Sequence, residues 1–146
     1  LFVWDCATCG SNPVVVFAKF ESTLDHRYWY GRWTGTAWDC HEICAAGAFI
    51  DGPTQPYYSG GIVLDHAEPS IVYCSRQVNG QWEIYRYTTP DGGATWTGIP
   101  ITSGSASKQI RPVVVRNHSA ALKVLWLSGA YTSYHLYDLA LMGSIK

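Results

Sequence analysis

The chain has 146 residues, a formal net charge of −1, 14% charged residues and 14% aromatic residues. That length suits one modest core, and the near-neutral, weakly charged composition argues against both a basic nucleic-acid binder and a charged disordered tail. No run approaches the roughly 18 apolar residues of a membrane-spanning helix, and with only one Met and a start at Leu1 the chain reads as a piece of a longer, processed product.

Seven Trp, ten Tyr and fourteen Gly predict short strands joined by tight turns, and no segment keeps a helical period over ten or more residues. The first signal is a cysteine pattern. Cys6 and Cys9 form a CxxC in "DCATCG", and Cys40 and Cys44 a CxxxC in "DCHEIC". Spacing alone leaves three readings open: a four-thiolate zinc site with His41 as a spare ligand, two disulfides, or free buried thiols. Cys74, in the apolar run "IVYCSR", reads as core packing.

Strands are predicted at 13–20, 27–34 and 38–43, then at 58–64, 69–76, 81–88 and 95–101, and finally at 110–115, 121–128 and 133–141. Between the fourth and fifth, Asp65 and Glu68 of "LDHAEP" suit a tight turn that makes His66 structural. Asn79-Gly80 is a two-residue hairpin signal. The order repeats. Pro13 of "NPVVVFAKF" and Pro69 of "EPSIVYCSR" open matching apolar runs, "ALKVLWLSG" is a third, and each precedes an aromatic-alternating run: "RYWYGRW", "QWEIYRY" and "SYHLYDLAL". Gly35 and Trp38 of "GRWTGTAW" correspond to Gly93 and Trp96 of "TTPDGGATW". A four-strand unit recurring at this scale is the signature of β-propeller blades. The expected fold is therefore all-β, with two and a half to three blades at about 1–45, 56–102 and 108–146. The first blade lacks an evident innermost strand.

The turn Thr89-x-Asp91-x-Gly93-x-Thr95-Trp96 resembles the Asp-box, or bacterial neuraminidase repeat, of sialidase-type propellers. With "NPVVVFAKF", "DHRYWYGRWTGTAW", "PYYSGGIVLDHAEPSIVYCSR", "EIYRYTTPDGGATW" and "RPVVV…VLWLSGAYTSYHLYD", the chain from about Asn12 to Gly143 is similar to the final blades of secreted bacterial proteins with this repeat. Those share their propeller type with polysaccharide lyases of the ulvan-lyase-like kind. The resemblance implies a secreted or cell-surface location, a polysaccharide or glycan partner, and completion of the ring by further blades or copies at the open sheet edges. Neither nucleic acid nor a cofactor is expected, a zinc or disulfide at the Cys cluster aside.

In a propeller, ligands meet the face that carries the loops between second and third strands and between blades. That topology gathers His26, Tyr58, Tyr131 and Arg111 as catalytic candidates, and Arg27, Arg76, Tyr57 and Lys108 as substrate-binding ones. Elimination from a uronate needs a base for the C5 proton, an acid for the leaving oxygen and an Arg for the carboxylate, and this set supplies all three. Pro112 is expected to hold Arg111 extended and aim it at the axis. The alternative function is a non-catalytic glycan-binding, adhesion or assembly propeller.

Overall fold

A computed structural model describes residues 1–119 and 122–144. The described residues form eleven strands and no helix: β1 (Phe2–Cys9), β2 (Asn12–Phe20), β3 (His26–Trp33), β4 (Trp38–Gly47), β5 (Ile62–Leu64), β6 (Ile71–Val78), β7 (Gln81–Thr88), β8 (Thr97–Pro100), β9 (Lys108–Val114), β10 (Val124–Ser133) and β11 (Leu136–Gly143). They make three antiparallel sheets of order β1-β2-β3-β4, β5-β6-β7-β8 and β11-β10-β9. Within each sheet every strand pairs with the next in the chain, so every connection there is a hairpin. No sheet closes on itself. The first strands lie side by side, β1 against β5 and β5 against β9.

The alternation seen in sequence sorts faces as expected. Val14, Val16, Ala18, Tyr28 and Tyr30 of the first sheet bury against Ile62, Leu64, Val72, Cys74 and Tyr87 of the second. The opposite face of the second sheet sets Ile71, Tyr73 and Ile84 against Val114, Val124 and Trp126 of the third. Asn79 and Gly80 both take positive φ, 52° and 82°, the backbone of a tight β6–β7 hairpin.

Two readings need correction. The first sheet does have its first strand, β1, paired with β2 from Cys9↔Asn12 to Phe2↔Ala18. Its pattern was illegible because a register shift between Val3 and Asp5 breaks the alternation and because Phe2 and Val3 are exposed. In the third sheet the hairpin lies at residues 134–135, not 129–132, so Tyr131 belongs to strand β10. The predicted start of that strand at Ala121, and the last two residues of the 108–146 unit, lie outside the described residues.

The turn after β7 is a closed hydrogen-bond circuit. Thr89 Oγ1 donates to Asp91 Oδ1 and accepts the Gly93 amide, and Asp91 accepts both the amide and the hydroxyl of Thr95, at 2.9 and 2.6 Å. Trp96 Nε1 donates to the Gly93 carbonyl, and its ring meets Tyr30 of the first sheet edge-on at 5.3 Å. The turn therefore latches one sheet to the next. Gly93 sits at φ 109°, and a Cβ there would lie 2.7 Å from Tyr30 Cδ1. Gly93→Ala is expected to lower unfolding free energy by about 3 kcal/mol, read from urea denaturation, because backbone strain and a clash with a buried ring add.

The Thr95 hydroxyl and amide hold the Asp91 carboxyl down to about 2 from its ordinary 3.8. A depressed folded value stabilises above the unfolded one and is lost as pH falls through the folded one. The stability difference between wild type and Asp91→Ala should thus be constant above about pH 5 and shrink toward pH 2. Acid-series urea titrations of both proteins check it.

Candidate functional site

Arg111 is placed by backbone rather than by its own side chain. Residues Gly60 and Gly61 end the long connection from β4 to β5. The Gly60 carbonyl accepts the Arg111 amide at 2.8 Å, and the Gly61 carbonyl accepts the Ser75 amide at 2.9 Å. Tyr28, wholly buried, donates to the Ser75 carbonyl and accepts the Gly61 amide, both at 2.9 Å. Ser75 Oγ in turn donates to the Gln109 carbonyl at 2.6 Å. This chain of bonds ties all three sheets together beside Arg111. A Cβ at Gly60 would sit 2.6 Å from Ser75 Oγ, so only glycine lets the strands approach this closely.

Arg111 takes φ 58°, in place of the extended backbone expected before Pro112. Ile110 pairs with Leu127 and Val113 with Leu125, leaving Arg111 and Pro112 opposite Trp126 alone. That is a β-bulge, a device that re-aims side chains at the cost of strain. Here it turns the guanidinium over the Tyr58 ring, 4.4 Å from its centroid, with the Trp4 ring at 5.6 Å. Among the described residues no carboxylate lies within ion-pairing distance of it.

These groups line a cleft of about 790 Å³ that follows β5 and β9. Tyr58, Tyr131 and Tyr137 form a ladder along one side, with centroids 6.5 and 6.4 Å apart and the Tyr131–Tyr137 planes 15° from parallel. Tyr131 is largely covered, whereas Tyr137 is 60% exposed. The site thus joins the Arg111 guanidinium to flat aromatic faces, the combination that grips a carboxylate and stacks on a sugar ring.

His66, expected from the sequence to be only a structural part of its turn, lines the same cleft. Asp65 does build the expected turn, accepting the amides of Ala67 and Glu68 at 3.0 and 3.3 Å. His66 Nε2 lies 2.9 Å from Asp5 Oδ2. Asp5 is itself fixed by the amides of Cys6 and Leu64. An acceptor at Nε2 puts the ring proton there and leaves Nδ1 as the basic nitrogen.

Of the eight residues singled out from sequence, the cleft unites Arg111, Tyr58 and Tyr131. His26 is fully buried. Its Nε2 donates to the Pro56 carbonyl and its Nδ1 accepts from Ser59 Oγ, both at 3.0 Å, and burial lowers its basicity. It fastens the β4–β5 connection and has no surface to offer a substrate. Lys108 likewise spends its ammonium on the carbonyls of Ile50 and Tyr131, at 2.6 and 2.7 Å, and burial pulls its pKa down. Arg27 is paired with Asp25 and Glu42. Arg76 donates to the Tyr87 hydroxyl at 2.6 Å between the first two sheets. Tyr57 is exposed and leans on Phe20. None of the last three lines the cleft.

The cysteines do not converge on a metal. Cys6 and Cys9 are three apart within β1, so the strand period sends them to opposite faces. Cys6 pairs with Val15, Val15 with Gly31, and Gly31 with Cys40, which puts two strands between Cys6 and Cys40. Among the described residues no three metal-ligating side chains gather and no disulfide is formed.

The sequence reading missed Trp4, Asp5, His66 and Tyr137. Tyr137 had a signal, since it alternates with Leu139 in "LYDLAL"; Trp4 and Asp5 had none once β1 went unrecognised. Comparison of the chain with family models, curated proteins and solved structures finds no match.

Proposed function

We propose that the chain is a run of Asp-box β-propeller blades from a secreted or cell-surface carbohydrate-active protein, and that its cleft takes an acidic, uronate-containing glycan. The observation that carries the reading is Arg111: a guanidinium without a carboxylate partner among the described residues, presented over Tyr58 by a strained bulge. Strain of this kind persists where function uses it. The propeller part is supported by the three successive hairpin sheets, the adjacency of their first strands and the latch made by Thr89, Asp91, Gly93, Thr95 and Trp96. Further blades or a second copy would cover β11, whose Leu136 and Leu141 are 61 and 68% exposed.

The site suits recognition first. A carboxylate docks on Arg111, and the sugar rings lie along Tyr58 and Tyr137. His66, oriented by Asp5 in the same cleft, favours a second, catalytic reading as a polysaccharide lyase. There a base removes the C5 proton of the uronate, that electron pair becomes the C4=C5 bond, and the C4–O bond breaks. The leaving oxygen then collects a proton from a tyrosine hydroxyl, Tyr58 being the nearest to Arg111.

One experiment separates the readings. The protein is titrated with uronate-rich and with neutral polysaccharides by calorimetry, and the same mixtures are followed for ultraviolet absorbance of the new C=C bond. Binding restricted to the uronate polymers supports the acidic-glycan reading, and equal or absent binding across the panel overturns it. Rising absorbance assigns elimination; binding without it leaves a lectin-like module.

A further inference from the structure

The first two sheets meet along β4 and β6, and there the only cysteine without surface exposure faces a partly exposed one. Cys44 Sγ and Cys74 Sγ lie 4.0 Å apart. The two residues stand 30 positions apart in sequence and on different sheets, so nothing in the CxxC or CxxxC spacing pairs them. A disulfide bond is about 2.05 Å long, and the two sulfurs need to approach by only about 2 Å to form one.

We infer that Cys44 and Cys74 are a covalent modification site, a dithiol that a small-molecule disulfide oxidises to a staple between the first and second sheets.

The surroundings divide the labour between the two thiols. Arg76 and Tyr87 stand beside them, bonded to each other through Arg76 Nη1 and the Tyr87 hydroxyl at 2.6 Å. The hydrogen bond from the Cys74 thiol, and after it the Arg76 charge, hold Cys44 below the ordinary thiol value against the opposing effect of burial. Burial, chiefly, pushes Cys74 well up. Cys44 is therefore the attacking sulfur, since its residue is partly exposed where Cys74 is fully buried and its thiol is the more readily ionised of the two. Cys74 resolves. This gives Arg76 a role that its position at the end of β6 did not suggest, because it serves the thiols and not the glycan cleft.

The chemistry balances. Cys44 thiolate attacks one sulfur of a disulfide such as oxidised glutathione, forming a Cys44–glutathione bond and expelling a glutathione thiolate. Cys74 then gives up its proton, to that thiolate or to water, and attacks Cys44 Sγ. The Cys44–Cys74 bond forms and a second glutathione leaves. Two protein thiols are oxidised, and one glutathione disulfide is reduced to two glutathione thiols. Closing a loop of this length stiffens the unfolded chain, so the oxidised protein should melt higher, by on the order of ten degrees.

The test uses the intact folded chain. It is incubated with oxidised glutathione, free thiols are blocked with iodoacetamide, and the mass and peptide map are recorded without reduction. Before alkylation the expected product is lighter than the untreated protein by two hydrogens; after it, two of the five cysteines remain unlabelled and the map yields a peptide pair joined through Cys44 and Cys74. Its melting temperature falls back on adding dithiothreitol. Cys74→Ser should stop at the mixed stage, gaining one glutathione on Cys44. The proposal is overturned if the folded wild type keeps all five thiols alkylatable, holds glutathione on Cys44 without resolving it, or forms a bond only among the exposed Cys6, Cys9 and Cys40. The wild-type map decides the matter even if the variant fails to fold.

Discussion

Arg111→Gly is expected to weaken binding of a uronate polysaccharide at least about tenfold, the value of one charge-assisted bond or more, while unfolding free energy changes by less than about 1 kcal/mol. The two effects have separate causes. The side chain supplies the cation placed over Tyr58, and its removal takes away the guanidinium that the carboxylate would meet there. The backbone at φ 58°, by contrast, is a conformation glycine adopts freely, so relief of strain offsets the lost contacts to Tyr58 and Trp4. Arg111→Lys sharpens the result. Lysine keeps the charge but loses the planar fork, so affinity should fall in part, with the salt dependence retained. Calorimetric titration beside urea denaturation reads both quantities on the same samples. Full affinity in Arg111→Gly would remove the cleft from consideration as the glycan site.

Asp65→Ala is expected to cost about 3 kcal/mol of stability, the scale of losing a buried, hydrogen-bonded carboxylate. Asp65 is 1% exposed. Its carboxylate accepts the amides of Ala67 and Glu68, and it takes His118 Nε2 at 3.1 Å on both oxygens. Truncation leaves the Ala67 amide and His118 Nε2 without this acceptor, while the Glu68 amide keeps the Asp65 carbonyl at 3.1 Å, and losing a charged acceptor costs more than losing a neutral one. The geometry also makes this turn a junction. Asp65 reaches His118, beyond β9, while the next residue, His66, reaches Asp5 in β1. One two-residue unit thus clips the second sheet to both neighbours. Asp65→Asn should retain part of the stability, because its carbonyl still accepts from the backbone. Urea midpoints of the two variants measure the difference, and equal midpoints for wild type and Asp65→Ala would refute the junction.

Local chemistry was readable from the chain, and it concerned neighbours in sequence. Alternation in "NPVVVFAKF" and "QWEIYRY" set which side chains turn inward, Asn79-Gly80 set a hairpin, and Thr89 to Trp96 set a latch whose bonds all span four residues or fewer. Asp65 was legible as a turn former for the same reason. Each of these outcomes depends on a period of two or on a side chain reaching its own backbone, and both are properties of a short segment.

What only the tertiary structure decided was which of the polar residues remain free to act. His26, Lys108 and Arg27 looked as available as Arg111, because a sequence does not display the carbonyls of Pro56, Ile50 and Tyr131 or the carboxylates that occupy them. Arg111 reads as extended in the sequence and sits instead in a bulge, where β10 offers Trp126 opposite two residues of β9. His66 and Asp5 are 61 positions apart, and Cys44 meets Cys74 instead of the cysteines of its own motif. Pairings of that kind are set by how sheets stack, and stacking depends on summed packing across the whole core, not on any one segment's pattern.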